Sequence, residues 1–422
     1  MQNYHKHGSF SNLNTSFKDS AMSYEDYAKR AVELGQEVLS SVEHGWQGNY
    51  LRCYQTAQKY NLKFVYGTEA YWVRDRHEDD RTNAHIIILA KTMEGIYQIN
   101  EMLSTANEDG YYFVPRVDHE LLQTLNPNDV FITTACVAFW GKLDKETREL
   151  RWHYGGEDNN PAEMLKLFDR LAGLFGDSLA LEVQCHNTPW QKQINAICLS
   201  LSRKYNLPLI VGLDSHYVYE RQKEERRWLR EESGVKMHDE DYEFDEAVYE
   251  DYPDEQTVIE RLRVQGVLNE DEIRRAIDMT DTICLFDDIE FDTSRKLPNP
   301  YPDKTQEERN QMYLDLIHDA WLEYRETVPK ERWDEYEESF YKDEADIVVN
   351  TNMSDYFLLD HEIVKCGVAK GGMITPSGRG SSGSWFTNSL LGMSTLDRFD
   401  LPVTLYPARF CTADRLITSC PD

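Results

Sequence analysis

Seven short apolar runs alternate with helical patterns along residues 1–220 of the chain. They occupy residues 1–7, 38–44, 63–69, 85–91, 129–136, 179–184 and 208–214. Runs of this length are typical of buried strands, and the segments between them have the periodicity of amphipathic helices. Repeated strand–helix units predict a parallel sheet, and seven such runs predict a closed or nearly closed barrel.

The segment SYEDYAKRAVELG, between the first two runs, shows how these helices begin and end. Ser23 can accept a hydrogen bond at a helix N-terminus, and Asp26 can complete a capping box with it. Gly35 can end the helix, because glycine adopts the left-handed conformation that helix ends require. The pattern therefore predicts a helix between Ser23 and Gly35.

Side chains of the types that bind metals stand at the ends of these runs. His5 and His7, in NYHKHGS, are two residues apart, so on a strand both imidazoles face the same way. Asp214 and His216, in GLDSHY, repeat that spacing. The other candidates are Glu43, His44, Glu69 and Cys136 at run ends, and His85 at the beginning of its run.

Each candidate has a simpler explanation when it is taken alone. His44 fits a buried, hydrogen-bonded histidine, Glu69 a helix cap and Cys136 a small core residue. His5 and His7 fit solvated side chains at a chain terminus. Their coincidence at successive strand ends favours a metal site. Imidazole, carboxylate and thiolate suit zinc or manganese, and they outnumber the ligands of one tetrahedral ion, so we expect two or three ions.

The composition is that of a globular chain. Of the 422 residues, 41% are hydrophobic and 28% charged, enough for two or three domains. The sequence has no apolar run of about 18 residues and no signal-peptide pattern. The eight cysteines form no CxxC pair, which indicates a reducing compartment. We therefore expect a cytoplasmic protein without membrane contact.

The charge is strongly negative, which argues against a protein that binds nucleic acid over its whole surface. Lys and Arg number 45 and Asp and Glu 75, a formal charge of -30. Ten of these carboxylates, and no Lys or Arg, lie in residues 239–255. We predict that this segment is a solvated linker or acidic face. A local basic cleft elsewhere remains compatible with the composition.

Seven stretches together resemble the PHP domain (polymerase and histidinol phosphatase), in the form found at the N-terminus of bacterial DNA polymerase III alpha subunits. They are YHKHGSFS, SSVEHGWQG, KFVYGTEAYWV, HIIILAKTMEG, YYFVPRVD, ITTACVAFWG and IVGLDSHY. The resemblance implies an α/β fold built on a distorted seven-stranded (β/α)7 barrel. It also implies the metal ligands His5, His7, His44, Glu69, His85, Cys136, Asp214 and His216.

One ligand position of that family is open in this chain. The family has an Asp seven residues after the second His of the HxH pair, where this chain has Asn14. Asp19 follows five residues later, so either residue is a candidate. Without a carboxylate there, one metal would bind more weakly. Glu43 stands where the family more often has Asp.

The pattern changes twice beyond the barrel. Residues 221–288 are predicted to form an acidic helical extension of the PHP domain, whose core is residues 1–220. The proline-rich stretch KLPNPYPDK, residues 296–304, indicates a boundary. Residues 289–422 are expected to form part of a polymerase palm, because their sequence resembles the palm of the same polymerase family.

The loop SGRGSSGS, residues 377–384, precedes an apolar helical run. Glycines let backbone N–H groups approach a phosphate, serines add donors, and a helix N-terminus favours an anion. A flexible linker has the same composition. In the family that the flanks resemble, this loop holds the triphosphate of the incoming nucleotide. The resemblance implies a nucleotide site at Arg379, Gly380, Ser381, Gly383 and Ser384, with Arg409 and Arg415 nearby.

The resemblance implies the N-terminal portion of a replicative DNA polymerase that acts on a primer–template and deoxynucleoside triphosphates. The PHP site would be a 3′–5′ exonuclease or phosphoesterase. The family's next motif holds the palm Mg²⁺ ions, and the sequence ends in TSCPD, before its last two carboxylates. We therefore expect polymerisation only with a complementary polypeptide that carries the remaining palm, thumb and fingers. A sliding clamp would be contacted only through that part.

Two other functions stay open at this point. The PHP domain can be a metal-stabilised scaffold for a split polymerase, which the absence of Asp at position 14 favours. It can also be a small-molecule phosphomonoesterase of the PHP superfamily, against which the SGRGSSGS loop argues. Divergent polymerases of this family are often encoded by bacteriophages, which would make the chain phage-like.

Overall fold

The apolar runs form a curled sheet in the computed structural model, which describes residues 1–13, 18–82, 84–144, 146–233, 246–292, 298–375 and 380–418. The chain divides into two units, Met1–Glu290 and Phe291–Asp422. The described strands of the first unit are β1 Val38–His44, β2 Lys63–Trp72, β3 Ala84–Ala90, β4 Tyr111–Tyr112, β5 Val114–Val117, β6 Val130–Thr133, β7 Gly141–Leu143, β8 Leu150–Trp152, β9 Leu179–Val183 and β10 Leu209–Val211.

Helices connect most of these strands and continue beyond the last. Those of the first unit are α1 Tyr24–Glu33, α2 Tyr50–Lys59, α3 Met93–Glu108, α4 His119–Leu122, α5 Val137–Trp140, α6 Ala162–Phe175, α7 Pro189–Tyr205, α8 Lys223–Glu232, α9 Glu255–Gln265 and α10 Glu270–Asp278. The capping box predicted for α1 is confirmed, since Ser23 and Asp26 bond each other's backbone N–H groups.

The sheet is mixed, not parallel as the alternation of runs and helices predicted. Its order is β10-β9-β6-β3-β2-β5-β4, and β1 also pairs with β2. β1 and β5 run parallel to β2, and β9 runs parallel to β6 and β10. β3 runs antiparallel to both β2 and β6. Hydrophobic patterning marks where a strand lies but does not set its direction, which depends on the path of the connection.

The predicted first strand, residues 1–7, is an extended segment with one bridge, Lys6 to Ser215. The N–H of His7 donates to the Ser215 carbonyl at 2.9 Å, and the N–H of Ser215 donates to the His5 carbonyl at 3.1 Å. On the other side, the Ser40 hydroxyl of β1 donates to the Tyr4 carbonyl at 2.7 Å. The segment therefore closes the curled sheet between β10 and β1, without a regular ladder.

Apolar side chains from the sheet and the N-terminal segment fill the interior. The cluster consists of Tyr4, Val38, Val42, Val65, Ile87, Leu89, Phe131, Ala135, Ala180, Ile210 and Ile283. Ile283 belongs to a 3-10 turn, Met279–Leu285, that follows α10. This packed core leaves the polar ends of the strands as the place for a site.

The acidic segment is partly buried, which corrects the prediction of a solvated face for the portion that the structure describes. Glu250 and Asp251 are both buried. Glu250 pairs with Arg226 of α8, and Asp251 pairs with Arg261 of α9 at 2.6 Å. Burial of these carboxylates is possible because each has an arginine partner. Residues 234–245 lie outside the described part.

The regular secondary structure of the second unit is entirely helical in its described residues. Its helices are α11 Gln306–Tyr324, α12 Trp333–Phe340, α13 Asp346–Asn350, α14 Ser354–Ala369, α15 Phe386–Leu390 and α16 Ala413–Thr418. A π-helical turn, Tyr341–Ala345, joins α12 to α13. Aromatic rings form its core: Trp321 stacks on Tyr336, and Phe386 packs edge-to-face against Tyr336. Among the described residues of either unit, no helix has the length and apolar character needed to cross a bilayer.

Candidate metal centre

The predicted ligands meet at one end of the barrel. Parallel pairing of β1 and β2 places His44 beside Glu69. β3 runs in the opposite direction, so His85, at its beginning, pairs with Tyr71 of β2 at this same end. The direction of β3 thus explains why His85 begins its run while the other candidates end theirs. The remaining ligands lie on segments outside the strands: His5, His7, Asp19, Cys136, Asp214 and His216.

Asp214 lies between the two histidines of the HxH pair. Its Oδ1 is 3.1 Å from Nε2 of both His5 and His7. These two Nε2 atoms are 3.4 Å apart, so both rings face one point. Asp214 has a φ of 47°, a left-handed conformation that is uncommon for non-glycine residues and that concentrates at functional sites.

Glu69 lies at the centre of a second group of ligands. Its Oε2 is 2.6 Å from Nδ1 of His44, and its Oε1 is 3.1 Å from Nδ1 of His85. The Sγ of Cys136 is 3.7 Å from the same Nδ1 of His85. The three types of donor expected from the sequence therefore come together around Glu69.

Asp19 lies among the histidines as well. Its Oδ2 is 2.8 Å from Nε2 of His216 and 3.3 Å from Nε2 of His44. Asn14, the other candidate for this position, lies outside the described residues. The structure thus offers a carboxylate at the position that the sequence left open.

Three sets of ligand atoms are each compact enough to surround one ion, since the atoms of a set lie within 4.8 Å of one another. The sets are His5, His7 and Asp214; His7, His44 and His216; and His44, Glu69 and His85. His7 and His44 each belong to two sets, so the three positions adjoin. The arrangement can hold a cluster of neighbouring ions.

Three carboxylate oxygens at the centre accept no hydrogen bond from any described residue. They are Oε1 and Oε2 of Glu69 and Oδ1 of Asp214. Imidazole nitrogens lie within 3.5 Å of all three, but not in hydrogen-bond geometry. A buried carboxylate without donors is costly, whereas a divalent cation placed between the oxygens and nitrogens would satisfy both. The side chains therefore fit a metal site.

Burial and crowding shift the pKa values of these groups in different directions. Burial lowers the pKa of His44, but the carboxylates of Glu69 and Asp19 outweigh it and raise that pKa to about 10. Burial, and then the charge of His44, lower the pKa of His7 to about 3. Burial raises the pKa of Glu69, but the surrounding imidazoles hold it well below its usual range. The imidazole of His7 is therefore neutral and able to bind a metal, whereas His44 would give up a proton when an ion binds between it and the carboxylates.

The Gly-Ser loop of the second unit is partly buried. Gly380 is exposed and Ser381 half-buried, whereas Gly383 and Ser384 are buried. The Ser384 hydroxyl donates to the Ser381 carbonyl at 2.7 Å. Arg379 lies outside the described residues. Only part of the predicted phosphate site therefore faces solvent in the described loop.

A carboxylate of the chain itself occupies the N-terminus of the helix that follows this loop. The N–H groups of Phe386 and Thr387, at the start of α15, donate to Glu344 at 3.0 and 2.8 Å. Arg398 donates to the same carboxylate at 3.1 Å. Glu344, in the π-helical turn, thus stands where the loop pattern placed a phosphate.

Comparison with known proteins matches both units. The PHP domain family model matches residues 4–186, and the bacterial DNA polymerase III alpha NTPase domain model matches residues 314–422. The chain carries a PHP domain and a region of the DNA polymerase III alpha NTPase domain family.

Similar proteins with this name include three DNA polymerase III alpha subunits. Those of Campylobacter jejuni and of Helicobacter pylori strain 26695 are each 24% identical over 96% of this chain and 34% of the relative. That of Aquifex aeolicus is 25% identical over 51% of this chain and 18% of the relative. The chain thus spans about a third or less of these relatives. A solved amidohydrolase from Chromobacterium violaceum aligns over 51% of this chain and 87% of its own, with 13% identity and a TM-score of 0.31.

Several charged residues behind the PHP ligands escaped the sequence analysis. Glu182 of β9 is buried, accepts from the Tyr4 hydroxyl at 2.6 Å and lies 2.8 Å from Nδ1 of His5. This contact fixes the His5 ring so that its Nε2 faces Asp214, the usual task of a carboxylate behind a metal-binding histidine. A carboxylate within the otherwise apolar strand LALEV was the signal available in the sequence.

Arg226 of α8 orients Asp19 in the same PHP domain. Its Nε donates to the Asp19 carbonyl at 2.9 Å, and its Nη2 donates to Oδ1 of Asp19 at 2.7 Å. Because Arg226 holds Oδ1, the other oxygen, Oδ2, faces His216 and His44. The same guanidinium pairs with Glu250, so the acidic segment supports the site. Nothing in the local sequence around Arg226 indicates this role.

Glu43 supports His7 through Ser11. The Ser11 hydroxyl donates to Glu43 and lies 3.2 Å from Nδ1 of His7. Tyr24 also donates to Glu43, at 2.6 Å. Burial raises the pKa of Glu43. Glu43, a candidate ligand on sequence grounds, thus bonds hydroxyl groups behind the ligands.

Proposed function

We propose that the PHP domain holds two or three Zn²⁺ or Mn²⁺ ions and hydrolyses the terminal phosphodiester at the 3′ end of a DNA strand. It would do so as the N-terminal portion of a polymerase of the DNA polymerase III alpha type. The proposal rests on one observation. Imidazoles, carboxylates and a thiol lie close together, and three buried carboxylate oxygens among them accept no hydrogen bond from a described residue. The polymerase NTPase domain in the same chain favours DNA over a small phosphate ester as the substrate.

Ions, ligands and orienting residues would each have a separate role in the hydrolysis. Bound divalent ions would lower the pKa of a water molecule and neutralise charge on the phosphate oxygens. The ligands would be His5, His7, Asp19, His44, Glu69, His85, Cys136, Asp214 and His216. Glu182 and Arg226 would hold His5 and Asp19 in their orientations. Because these ligands are almost entirely buried, the phosphodiester would be presented to a pocket with little competing bulk water.

The direct test is release of nucleotides from a 3′-mismatched primer by the purified chain with Mn²⁺ or Zn²⁺. We expect cleavage by the natural chain and none by a His5→Ala, His7→Ala double variant. The matched control is a His77→Ala, His318→Ala double variant, which removes two exposed histidines that belong to none of the three ligand sets. Equal cleavage by both double variants would place the nuclease elsewhere.

Two outcomes of this assay would favour the other functions. Bound metal without cleavage of DNA or of p-nitrophenyl phosphate would favour a metal-stabilised scaffold. Cleavage of p-nitrophenyl phosphate without cleavage of DNA would favour a small-molecule phosphomonoesterase.

We also propose that the second unit is part of a polymerase palm that binds a deoxynucleoside triphosphate with Mg²⁺ once further polymerase sequence covers it. α14 and the turn after it expose Ile363, Val368 and Met373 at 58%, 49% and 84%. Large exposed apolar side chains on one helix are typical of an interaction surface. Labelled dATP should bind when the chain is mixed with the remaining palm sequence of a relative, and not to the chain alone. Binding to the chain alone would contradict this part of the proposal.

A further inference from the structure

A cavity of about 460 Å³ lies between the turn after β1 and helix α3. It is lined by Trp46, Gln47, Asn100, Leu103, Ser104, Asn107 and Glu108. Trp46 comes two residues after the ligand His44. The other wall is the C-terminal half of α3. Because β3 begins among the ligands and runs away from them, α3 returns toward the ligand end, so both walls belong to that end of the barrel.

The ring of Trp46 is held in place before any ligand arrives. Its indole N–H donates to the Phe10 carbonyl at 3.0 Å, and the two rings stack with centroids 6.3 Å apart. The ring also packs against the backbone of Gly48, where a Cβ would lie 1.9 Å from the nearest ring carbon. A preordered aromatic surface binds a flat partner without the entropic cost of immobilising the side chain.

The walls suit a nucleobase better than a phosphate. None of the seven described lining residues is Lys or Arg, and Glu108 would repel an anion. Leu103 lines the cavity with apolar atoms. The Ser104 hydroxyl and the Asn107 amide already donate to carbonyls of α3, at 2.8 Å each, so these exposed side chains and Glu108 offer oxygens that accept from the edge of a base. Carboxylates accept hydrogen bonds from the amino groups that cytosine and adenine carry and thymine lacks.

We propose that this cavity binds the base of the 3′-terminal nucleotide by stacking it on Trp46, while the adjoining phosphodiester faces the metal centre. The inference deepens the proposed nuclease and rests on it. Loss of one base–aromatic stack weakens binding by about 5- to 150-fold. The cavity would thus set how tightly an end is held and favour ends that carry an amino-bearing base.

The kinetic test compares a single-stranded oligonucleotide ending in cytidine with the same oligonucleotide ending in an abasic tetrahydrofuran residue. We expect the natural chain to have a KM about tenfold lower for the cytidine end, and Trp46→Ala to lose that preference while still cleaving the abasic end. Trp46→Phe should retain most of it. Trp228→Ala, which removes a tryptophan that is 64% exposed on α8, is the matched control. Equal KM values for both ends in the natural chain would overturn the proposal.

A binding measurement separates this proposal from the nuclease itself. Saturation-transfer NMR should show contact between the protein and the base protons of dCMP with the natural chain, and not with Trp46→Ala. If dCMP binds in this way but no DNA is cleaved, the result supports the base-binding cavity and contradicts the proposed nuclease. If DNA is cleaved and KM does not depend on the terminal base, the result supports the nuclease and contradicts the base-binding cavity. Absence of both would overturn both.

Discussion

Two buried glutamates, one in each unit, show how a site that awaits a ligand differs from one that the chain completes itself. Glu69 of the PHP domain has imidazoles around both oxygens but no hydrogen bond from a described residue. Glu344 of the second unit accepts from the N–H groups of Phe386 and Thr387 and from Arg398. Both side chains are equally buried. The geometry of their donors, and not their burial, separates the two cases.

Glu69 and Glu344 therefore have different roles, although nothing in the sequence distinguishes the two glutamates. Nitrogen lone pairs and carboxylate oxygens that face one another need a cation between them. N–H groups that face a carboxylate need nothing more. Glu69 is thus expected to matter for metal binding, and Glu344 for the stability of the second unit.

Of the variants that test this comparison, Glu344→Ala should cause the largest loss of free energy of unfolding. The change leaves Arg398 buried without its carboxylate and removes the acceptor at the start of α15. Breaking a buried ion pair in this way costs about 3–5 kcal/mol. Denaturant unfolding of the full chain, followed by hydrogen exchange in each unit, should show that loss in the second unit and none in the PHP domain.

Glu338→Ala is the control for that variant. Glu338 forms an exposed pair with Lys342 at 2.8 Å, and its loss should change stability little because solvent screens such pairs. If Glu344→Ala destabilised the second unit no more than this control, Glu344 would not be a completed structural site and the comparison would fail.

A smaller effect is expected from Arg226→Lys in the PHP domain. Lysine cannot hold the Asp19 carbonyl and carboxylate together as the guanidinium does. Loss of a residue that orients a ligand typically lowers metal affinity about 10- to 100-fold. Competition with a coloured chelator should show that loss of affinity. Arg227→Lys, at a partly exposed pair on the same helix, should leave the metal affinity unchanged. Equal metal affinity in both variants would show that Arg226 does not orient a metal ligand.

Much of the PHP domain could be predicted because burial constrains its strands strongly. β1 occupies the predicted residues 38–44, and β9 ends one residue before the predicted limit. Ligand types at successive run ends identified the candidate site, since strand ends in a barrel converge. The reversed β3 and the single bridge of residues 1–7 could not be predicted, because patterning carries no information on strand direction or pairing.

The residues behind the ligands were harder to predict for a different reason. Glu182 lies in a strand, and its charge within an apolar run was a usable signal. Arg226 and Glu250 act through contacts with residues distant in sequence, so local pattern says nothing about them. In the second unit, Glu344 bonds the start of the helix after the Gly-Ser loop, a contact that local pattern does not reveal, and the phosphate site of the loop itself stays a prediction.

The central claim, that the PHP domain is completed by metal ions, is tested most directly by the metal content of the purified chain. Mass-spectrometric elemental analysis after incubation with Zn²⁺ or Mn²⁺ and removal of the excess should find two or three ions per chain. The His5→Ala, His7→Ala variant should lose at least one of them, because His7 belongs to two of the three ligand sets. A natural chain without bound metal, or a variant with the same content, would contradict the account.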